Sequence, residues 1–235
     1  MTSLSVVILT RNRPTYLAKS LAALMPQLRE GDEAVVVNGG DPVQAPAPAK
    51  VIDYPTQPYH LSSSRNRGIR ETGNPALVFL DDDMAPAPGL LEAYRGRIRE
   101  GVCLLGGIRF TYDYGATAPP PGIPWYHELE HSVHRWRGGY PDEGGYGGNL
   151  CVTRGDVLRV GGFDARFDGC WGWEDTALLV ALKTVGVELE ECHEAMTYHQ
   201  YHEQGMIHGE KNRNRAVFEA VTAEYKRGIY PEFPQ

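Results

Sequence analysis

Three consecutive aspartates, Asp81, Asp82 and Asp83, follow the apolar run at residues 77–80. Such a run predicts a strand that is buried on both faces, as in a parallel sheet. Ligands bind beyond the carboxyl ends of strands in open α/β sheets. Side chains two apart in an extended segment share a direction, which aims Asp81 and Asp83 at one point and Asp82 elsewhere. Carboxylates suit Mg²⁺, Mn²⁺ or Ca²⁺, so the triplet predicts a divalent ion that holds a diphosphate, with a solvated acidic turn as the alternative.

Basic and amide side chains follow two other predicted strands. Arg11 and Arg13 come after the strand predicted at residues 4–9, and Asn38 follows the one at 34–37. Arginine offers phosphate a planar fork of donors, and helix N-termini behind such loops add amide donors and partial positive charge. Each arginine alone is more simply a surface charge. Together, at strand ends on the same side as the aspartates, these residues predict a nucleotide site.

A carboxylate pair, Glu174 and Asp175, stands at a predicted helix start next to Trp171 and Trp173. A carboxylate near an acceptor hydroxyl acts as a general base. A second carboxylate and an apolar wall raise its pKa, whereas a helix N-terminus lowers it. The tryptophans favour a sugar-binding role, because aromatic faces stack on sugars. A first-turn pair that complements the helix dipole, with both tryptophans in the core, is the alternative.

A histidine near a later strand end offers a further metal ligand. His199 follows residues 196–198, and a neutral imidazole is a ligand for manganese or zinc. With Asp83 it would complete the metal site. Composition alone does not choose it over the neighbouring histidines at positions 193, 202 and 208.

Composition excludes several classes of protein. The chain has 235 residues and a net charge of −7, which argues against a general nucleic-acid binder, because phosphate affinity needs a basic surface. Its four cysteines contain no C-x-x-C pair and indicate neither a zinc knuckle nor a clear disulfide framework. The start of the sequence lacks a secretory signal pattern, and no apolar run approaches a membrane span. We expect a cytoplasmic protein with reduced cysteines.

Helices and strands alternate along the first half, which implies a parallel sheet with right-handed crossovers. The predicted strands cover residues 4–9, 34–37, 51–53, 77–80, 102–105, 108–112, 150–153 and 187–192. We expect one domain over residues 1–235, divided into a nucleotide-binding half at 1–114, a Pro/Gly-rich lid region at 115–148, an acceptor and catalytic half at 149–205, and a C-terminal helix and tail at 206–235.

Taken together, the motifs resemble the family 2 nucleotide-sugar glycosyltransferases of the GT-A fold, with a galactosyltransferase-like C-terminal half. Residues 6–14 are similar to the first strand and turn of that family, 64–69 to its "A-R-N-x-G" helix and 79–83 to its Asp-x-Asp motif. Residues 147–149, 161–164 and 171–175 resemble its acceptor half. The resemblance implies an α/β fold, with a Rossmann-like and mostly parallel central sheet flanked by helices and a small antiparallel acceptor-side sheet.

The resemblance also implies a role for each motif. The nucleotide would be bound by Thr10, Arg11, Arg13, Asn38, Arg65, Asp81 and Asp82. Asp83 and His199 would hold Mn²⁺ or Mg²⁺. Asp175 would be the catalytic base, with Glu174 beside it orienting a sugar. The acceptor would be bound by Trp171, Trp173, Gly148 and Asn149. The reaction would be a single displacement with inversion, from a nucleotide-sugar donor, with UDP as the expected nucleotide, to a carbohydrate or other hydroxyl acceptor.

The chain departs from the family pattern at one motif, and two other functions are alternatives to sugar transfer. Many family members have Asp-Asp-Gly-Ser where this chain has Asn38-Gly39-Gly40-Asp41, which bears on recognition of uracil. A sugar-phosphate nucleotidyltransferase shares a similar sheet and carboxylate metal site, but the first strand is not followed by a triphosphate signature. A non-catalytic sugar-nucleotide-binding protein is the other alternative, and the intact acidic motifs argue against it. A homo-oligomer is compatible with the sequence.

Overall fold

The computed structural model describes residues 2–56, 60–111, 147–200 and 210–234. These residues form one curved mixed sheet flanked by helices. The strands are β1 (Leu4–Thr10), β2 (Glu33–Asn38), β3 (Lys50–Asp53), β4 (Ala76–Asp81), β5 (Met84–Pro86), β6 (Val102–Thr111), β7 (Asn149–Thr153) and β8 (Glu188–Gln200). The helices are α1 (Pro14–Leu24), α2 (Leu61–Arg70), α3 (Leu90–Arg97), α4 (Arg154–Arg159), α5 (Glu174–Thr184) and α6 (Glu210–Tyr225).

The strand order in the described residues is β3-β2-β1-β4-β7-β6-β8-β5. Strands β3, β2, β1 and β4 are parallel, as the alternation of strands and helices predicted. Strand β7 runs antiparallel to both β4 and β6, and β5 runs antiparallel to β8. The predicted α/β fold class is confirmed, and the antiparallel pairs expected on the acceptor side belong to this same sheet.

Both faces of the central strands are buried, because their apolar side chains alternate between two layers of helices. Val7 and Phe79 face a cluster with α2, α4, α5 and α6, while Ile8 and Leu80 face a second cluster with α1 and α3. Each such side chain contributes roughly 1.5–3 kcal/mol when it is fully removed from water. This two-sided burial explains the unbroken apolar runs that predicted the strands.

The structure joins two predicted strands into one. The strands expected at residues 102–105 and 108–112 are the single strand β6, which changes register between Gly106 and Gly107. A Cβ at Gly106 would lie 2.2 Å from the Asn149 Nδ2 atom and 2.3 Å from the Tyr94 hydroxyl. The glycine pair that suggested a break therefore permits a close approach within the strand.

Most of the predicted lid region at residues 115–148 lies outside the described residues, as do the histidines at positions 202 and 208. Among the helices of the described residues, none combines the length and the apolar character that crossing a membrane requires. The predicted division of the chain at residues 114, 148 and 205 stays a prediction.

Candidate active site

The aspartate triplet forms the turn between β4 and β5. Asp81 ends β4, Asp82 and Asp83 form the turn, and Met84 begins β5. The Asp81 side chain is 37% exposed, whereas Asp82 and Asp83 are buried. The Asp81 carboxylate interacts electrostatically with Arg65, Asp83, Asp175 and His199. The turn therefore brings the predicted metal ligands and the predicted base into one charged site.

Asp82 is held by contacts within the protein. Its side chain does not diverge from that of Asp83 as an extended segment would require, because the triplet forms a turn in which Arg13 contacts both carboxylates. Its Oδ2 accepts a hydrogen bond of 2.8 Å from the Thr10 hydroxyl, and its Oδ1 accepts one of 3.0 Å from the Arg13 guanidinium. Burial raises the pKa of Asp82 to about 7, opposed mainly by Arg13. In this arrangement Thr10 and Asp82 hold the first loop against the turn.

Arg13 connects two carboxylates at the tip of β4. One of its terminal nitrogens lies 3.0 Å from Asp82, and the other lies 2.8 Å from the Asp83 Oδ2. Its guanidinium also stands 4.9 Å from the centre of the Tyr16 ring. The neighbouring Arg11 donates to the Thr56 carbonyl at 2.9 Å. Both arginines lie at the edge of the sheet where the sequence predicted them.

The structure places Asn38 at the expected strand end but corrects its role. Its side chain is 1% exposed, and its Nδ2 donates to the Asp41 carbonyl and to the Asp53 Oδ1, each at 3.0 Å. Its Oδ1 accepts from the Gly40 amide at 3.1 Å. This amide was predicted to contact a base or ribose. It is instead committed to shaping its own turn and to holding β3.

Asp83 and His199, the two predicted metal ligands, lie side by side. Antiparallel pairing of β5 with β8 sets Met84 opposite His199, and the Gln200 amide donates to the Asp83 carbonyl at 2.8 Å. The His199 Nε2 consequently lies 3.8 Å from the Asp83 Oδ2. Within the described residues, no group of three or more His, Cys, Asp or Glu side chains is arranged to hold a metal ion. A carboxylate and an imidazole suit Mn²⁺, which completes its shell with water and phosphate oxygens.

Arg65 is the buried link between the two acidic motifs. Its side chain is 3% exposed, and its terminal nitrogens lie 2.6 Å from the Glu174 Oε1 and 3.2 Å from the Asp81 Oδ1. The guanidinium also stands 5.2 Å from the centre of the Phe163 ring. Its pKa is raised, because the carboxylates of Glu174, Asp81 and Asp175 outweigh the effect of burial. One fixed positive charge therefore joins the end of β4 to the start of α5.

Glu174 and Asp175 begin α5 but have different surroundings. Glu174 is buried, and its Oε2 has no hydrogen-bond partner among the described residues. Burial raises the pKa of Glu174 to about 7, with Asp175 adding to the effect and Arg65 opposing it. Asp175 is half-buried, and its Oδ2 accepts from the Gly147 amide at 2.8 Å. Its Oδ1 accepts from the Thr176 amide at 2.7 Å.

Two glycines, Gly147 and Gly148, lie between the carboxylates of Asp81 and Asp175. A Cβ at Gly148 would lie 2.8 Å from the Asp81 Oδ2, and one at Gly147 would lie 2.9 Å from the Asp175 Cβ. Real Cβ atoms do not approach so closely, so any larger residue would displace its neighbours: the ends of the Asp81 and Met84 side chains at Gly148, and the Cβ of Asp175 at Gly147. The expected acceptor residue Gly148 thus lies between the two motifs.

The other expected acceptor residues differ in exposure. Asn149 is 1% exposed; its Nδ2 donates to the Gly107 and Ala195 carbonyls, and its Oδ1 accepts from the Tyr94 hydroxyl. Its side chain therefore joins the sheet, which corrects the expectation of an acceptor contact. Trp173 packs on Phe218 with ring centres 4.8 Å apart, whereas Trp171 is 49% exposed.

Two features of the site were not picked out in the sequence. One is the ion pair between Arg65 and Glu174, which are 109 residues apart. The other is Asn214 of α6, which donates a hydrogen bond to the Phe167 carbonyl in the segment before α5. Charge complementarity was a signal for the first pair, because a buried arginine needs carboxylate partners. The sequence around Asn214 carries no comparable signal.

Comparison with known proteins identifies the family. The profile of glycosyl transferase family 2 matches residues 5–159, which hold the first loop, the aspartate triplet and β7. The chain belongs to glycosyltransferase family 2. A second profile, the N-terminal domain of galactosyltransferase, matches residues 127–203, which hold the Glu174–Asp175 pair and His199. The resemblance drawn from the motifs is confirmed, including its galactosyltransferase-like second half.

This family 2 glycosyltransferase is similar to several characterised proteins. The validoxylamine A glucosyltransferase of Streptomyces hygroscopicus subsp. jinggangensis (strain 5008) is 29% identical over 86% of the chain and 56% of the relative. The chain spans about half the length of that relative. The crystal structure of GalNAc-T7 with UDP, GalNAc and Mn²⁺ has a TM-score of 0.63 and 14% identity, over 87% of this chain and 45% of that one.

A third similar structure is the mannosyltransferase PcManGT from Pyrobaculum calidifontis, in complex with GDP-Man and Mn²⁺. Its TM-score is 0.60 at 14% identity, and the match covers 96% of this chain and 64% of that one. At such identities the two structures establish the shared GT-A fold of this family 2 member.

Proposed function

We propose that this chain is a metal-dependent, inverting glycosyltransferase that moves a sugar from a nucleoside diphosphate sugar to a hydroxyl acceptor. The observation that carries the proposal is the position of Arg65, with its guanidinium 3.2 Å from Asp81 and 2.6 Å from Glu174. Asp81 belongs to the strand tip where a nucleotide is expected. Glu174 adjoins the carboxylate that suits a base. This position of Arg65 supports a site in which donor and acceptor would meet around one buried charge.

On the donor side, the loop after β1 and the tip of β4 would bind the nucleotide. Arg11 and Arg13 lie on the loop after β1 and would contact the diphosphate. The hydrogen bond between Thr10 and Asp82 fixes the position of this loop. Asp83 and His199 would hold Mn²⁺ or Mg²⁺, which when bound neutralises the charge that develops on the departing diphosphate. Both solved neighbours were crystallised with Mn²⁺, which supports this assignment.

The base of the nucleotide is proposed to be uracil, but the fold itself does not select it. GalNAc-T7 was crystallised with UDP and PcManGT with GDP-Man. The amide of Asn38 is occupied by its own turn, so any base would be recognised by other atoms of this edge. UDP remains the first donor nucleotide to test.

On the acceptor side, Asp175 is the proposed general base. Its Oδ1 accepts from both the amide and the hydroxyl of Thr176, whereas its Oδ2 accepts from the Gly147 amide and has a second lone pair for a hydroxyl proton. The orphan Oε2 of Glu174 would bond a sugar hydroxyl and so orient it. With one base and no step through a protein nucleophile, the attack inverts the anomeric carbon.

The acceptor is proposed to be a carbohydrate or a similar polyhydroxyl compound. Trp171 is exposed just before this carboxylate pair, and an aromatic face there suits a sugar ring. The similar Streptomyces enzyme is a glucosyltransferase named for validoxylamine A. Gly148 lets the backbone approach the Asp81 carboxylate closely, beside the proposed acceptor site.

The test is a calorimetric screen of UDP- and GDP-linked sugars with and without Mn²⁺, followed by an assay for released nucleoside diphosphate with mixed hydroxyl acceptors. We expect Mn²⁺-dependent binding of at least one donor, release that depends on acceptor, and an inverted anomeric proton by NMR. Donor binding without turnover would indicate a binding protein. Consumption of a nucleoside triphosphate with a sugar phosphate would indicate a nucleotidyltransferase.

A further inference from the structure

Helix α6 packs against the loop that leads into the carboxylate pair. It spans Glu210–Tyr225 and lies beyond both profile matches, which end at residues 159 and 203. Two of its side chains, Asn214 and Phe218, are one turn apart on one face and are buried at 0% and 7% exposure. Both point at residues 167–173, immediately before Glu174.

The Asn214 amide satisfies several backbone carbonyls of that loop. Its Nδ2 lies 3.1 Å from the Phe167 carbonyl, 3.1 Å from the Cys170 carbonyl and 2.9 Å from the Gly172 carbonyl. An amide has two N–H groups, so three acceptors share two donors. The Oδ1 of Asn214 has no hydrogen-bond partner among the described residues. The Asn214 side chain is therefore fixed through its N–H donors, and the same hydrogen bonds fix the loop at residues 167–173.

The backbone that Asn214 holds contains three residues with positive φ, of which only Trp173 is strained. Gly169, Gly172 and Trp173 have φ angles of 90°, 86° and 78°, in the left-handed region. For tryptophan this region is unfavourable, and such residues persist where the surrounding structure over-determines them. Trp173 is the N-cap of α5, and its carbonyl accepts the first helical bond from the Ala177 amide at 2.9 Å. Its conformation thus sets the direction in which α5 begins.

Two further contacts from α6 hold the same loop. The Phe218 ring packs on the Trp173 ring at 4.8 Å between centres. The Arg213 guanidinium donates to the Cys170 sulfur at 3.2 Å. Helix α6 therefore fixes both the backbone of this loop and the side chain of Trp173. The first carboxylate, Glu174, is the next residue after Trp173.

We propose that Asn214 is a positioning residue for sugar transfer: it fixes the Gly172–Trp173 backbone, and through it the placement of Glu174 and Asp175. The proposal rests on the proposed function, because it assigns Asn214 a place in that reaction. Displacement of a catalytic group by about 1 Å can lower a rate about 100-fold, so a clamp of this kind controls turnover. Donor binding depends on Asp83, His199 and the loop after β1, which Asn214 does not touch.

The experiment compares Asn214→Ala with the matched control Arg215→Ala. Arg215 is the next residue of the same helix, and its contact with Glu219 is exposed. Both proteins are labelled with 5-fluorotryptophan, and the Trp173 ¹⁹F resonance is assigned by its loss in Trp173→Phe. For each variant we would measure that resonance, the Kd of UDP with Mn²⁺, and the kcat of nucleoside diphosphate release with UDP-glucose or the best donor of the screen.

In Asn214→Ala we expect a shifted Trp173 resonance, a kcat lower by about 10- to 100-fold, and a Kd for UDP within about twofold of the parent. Arg215→Ala should match the parent in all three. A Trp173 resonance and kcat equal to those of Arg215→Ala would overturn the proposal, as would a loss of UDP affinity that parallels the loss of kcat.

If Asn214→Ala does not fold, Asn214→Ser, which keeps one donor, is measured in the same way and judged by the same outcomes. If the parent protein shows no transfer with any donor, the proposed function fails on its own. The clamp is then judged by the ¹⁹F resonance: an unmoved Trp173 signal refutes it, and a moved signal with the other tryptophans unchanged keeps Asn214 as the residue that fixes this loop.

Discussion

The tip of β4 and the start of α5 supply the two halves of the candidate site, and they are built differently. At the tip, Asp82 and Asp83 share one ion-pair partner, Arg13, which comes from the loop after the adjacent strand β1. At the start of α5, Glu174 depends on Arg65, which is 109 residues away in the sequence. Adjacent parallel strands bring the first set together, whereas the second set needs the whole tertiary structure.

The two regions also differ in how fully their polar groups are satisfied. Both oxygens of Asp82 accept hydrogen bonds within the protein, but one buried oxygen of Glu174 has no partner among the described residues. A buried polar atom without a partner is costly and often marks a place where a ligand binds. The comparison predicts that changes at the tip mainly affect binding, and that changes at the start of α5 mainly affect turnover.

The largest effect is expected for Asp175→Asn. Loss of the proposed base should lower kcat by about 10²- to 10⁴-fold, because that is the usual contribution of general base catalysis. The Kd of the donor with Mn²⁺ should stay within about twofold. Single-turnover kinetics and calorimetry measure the two quantities, and Glu219→Gln, at an exposed position of α6, is the control for loss of charge. Turnover close to that of the control would reassign the base.

The next effect is the pH dependence of stability that comes from Glu174. Its pKa is about 7 in the folded protein against an ordinary value of 4.5, so the folded state holds more protons between these values. The free energy of unfolding should therefore fall as pH rises through this window, because the carboxyl group of the unfolded chain loses its proton first. Urea unfolding in EDTA at several pH values between 4 and 8 should show a smaller fall in Glu174→Gln. Equal slopes in both proteins would contradict the assignment.

A smaller effect is expected for Asp83→Asn, which alters the metal pair at the tip. Removing this charge should weaken Mn²⁺-dependent UDP binding by at least about tenfold, since even residues that merely support a metal ligand contribute 10- to 100-fold. Calorimetry with Mn²⁺ and with EDTA measures the loss. Glu100→Gln, at an exposed position before β6, removes one charge at the other end of the sheet and should bind UDP normally. Unchanged affinity in Asp83→Asn would remove this residue from the metal site.

The smallest effect concerns the boundary between the two regions. In Gly148→Ala the new Cβ would lie 2.8 Å from the Asp81 Oδ2 and 3.0 Å from the Met84 Cε, so both side chains must shift. We expect kcat/KM to fall about 3- to 10-fold. Gly155→Ala is the control, because nothing lies within 4 Å of its Cβ. Similar kcat/KM values in both variants would show that the site tolerates the displacement.

The parallel half of the fold could be predicted from the sequence, because its strands are continuous apolar runs followed by polar loop residues. Val7 and Phe79 belong to such runs, and both are buried as expected. The β6 strand was predicted as two pieces, since Gly106 and Gly107 interrupt its apolar pattern. The reason for these glycines is a close approach to Tyr94 and Met196, from other parts of the chain, which no local pattern contains.

The site was predictable in part for the same reason. Asp81, Asp83 and His199 were chosen from strand ends and from the resemblance to family 2, and the structure brings them into one charged site. The use of Asn38 and Asn149 could not be foreseen, because an amide serves a ligand and a turn equally well. Only its neighbours in the folded protein distinguish the two, and in both cases these are backbone carbonyls and side chains of the protein itself.

The sequence by itself determined which residues carry charge at the ends of the parallel strands, because strand periodicity and chain order place them there. The tertiary structure alone decided which charges are paired. Arg65 reaches both Asp81 and Glu174, and Asn214 holds the loop before α5, through contacts between segments far apart in the chain. Such contacts depend on how the helices pack on the sheet. Because the hydrophobic effect is not directional, the sequence of a single segment does not specify which distant segment it will contact.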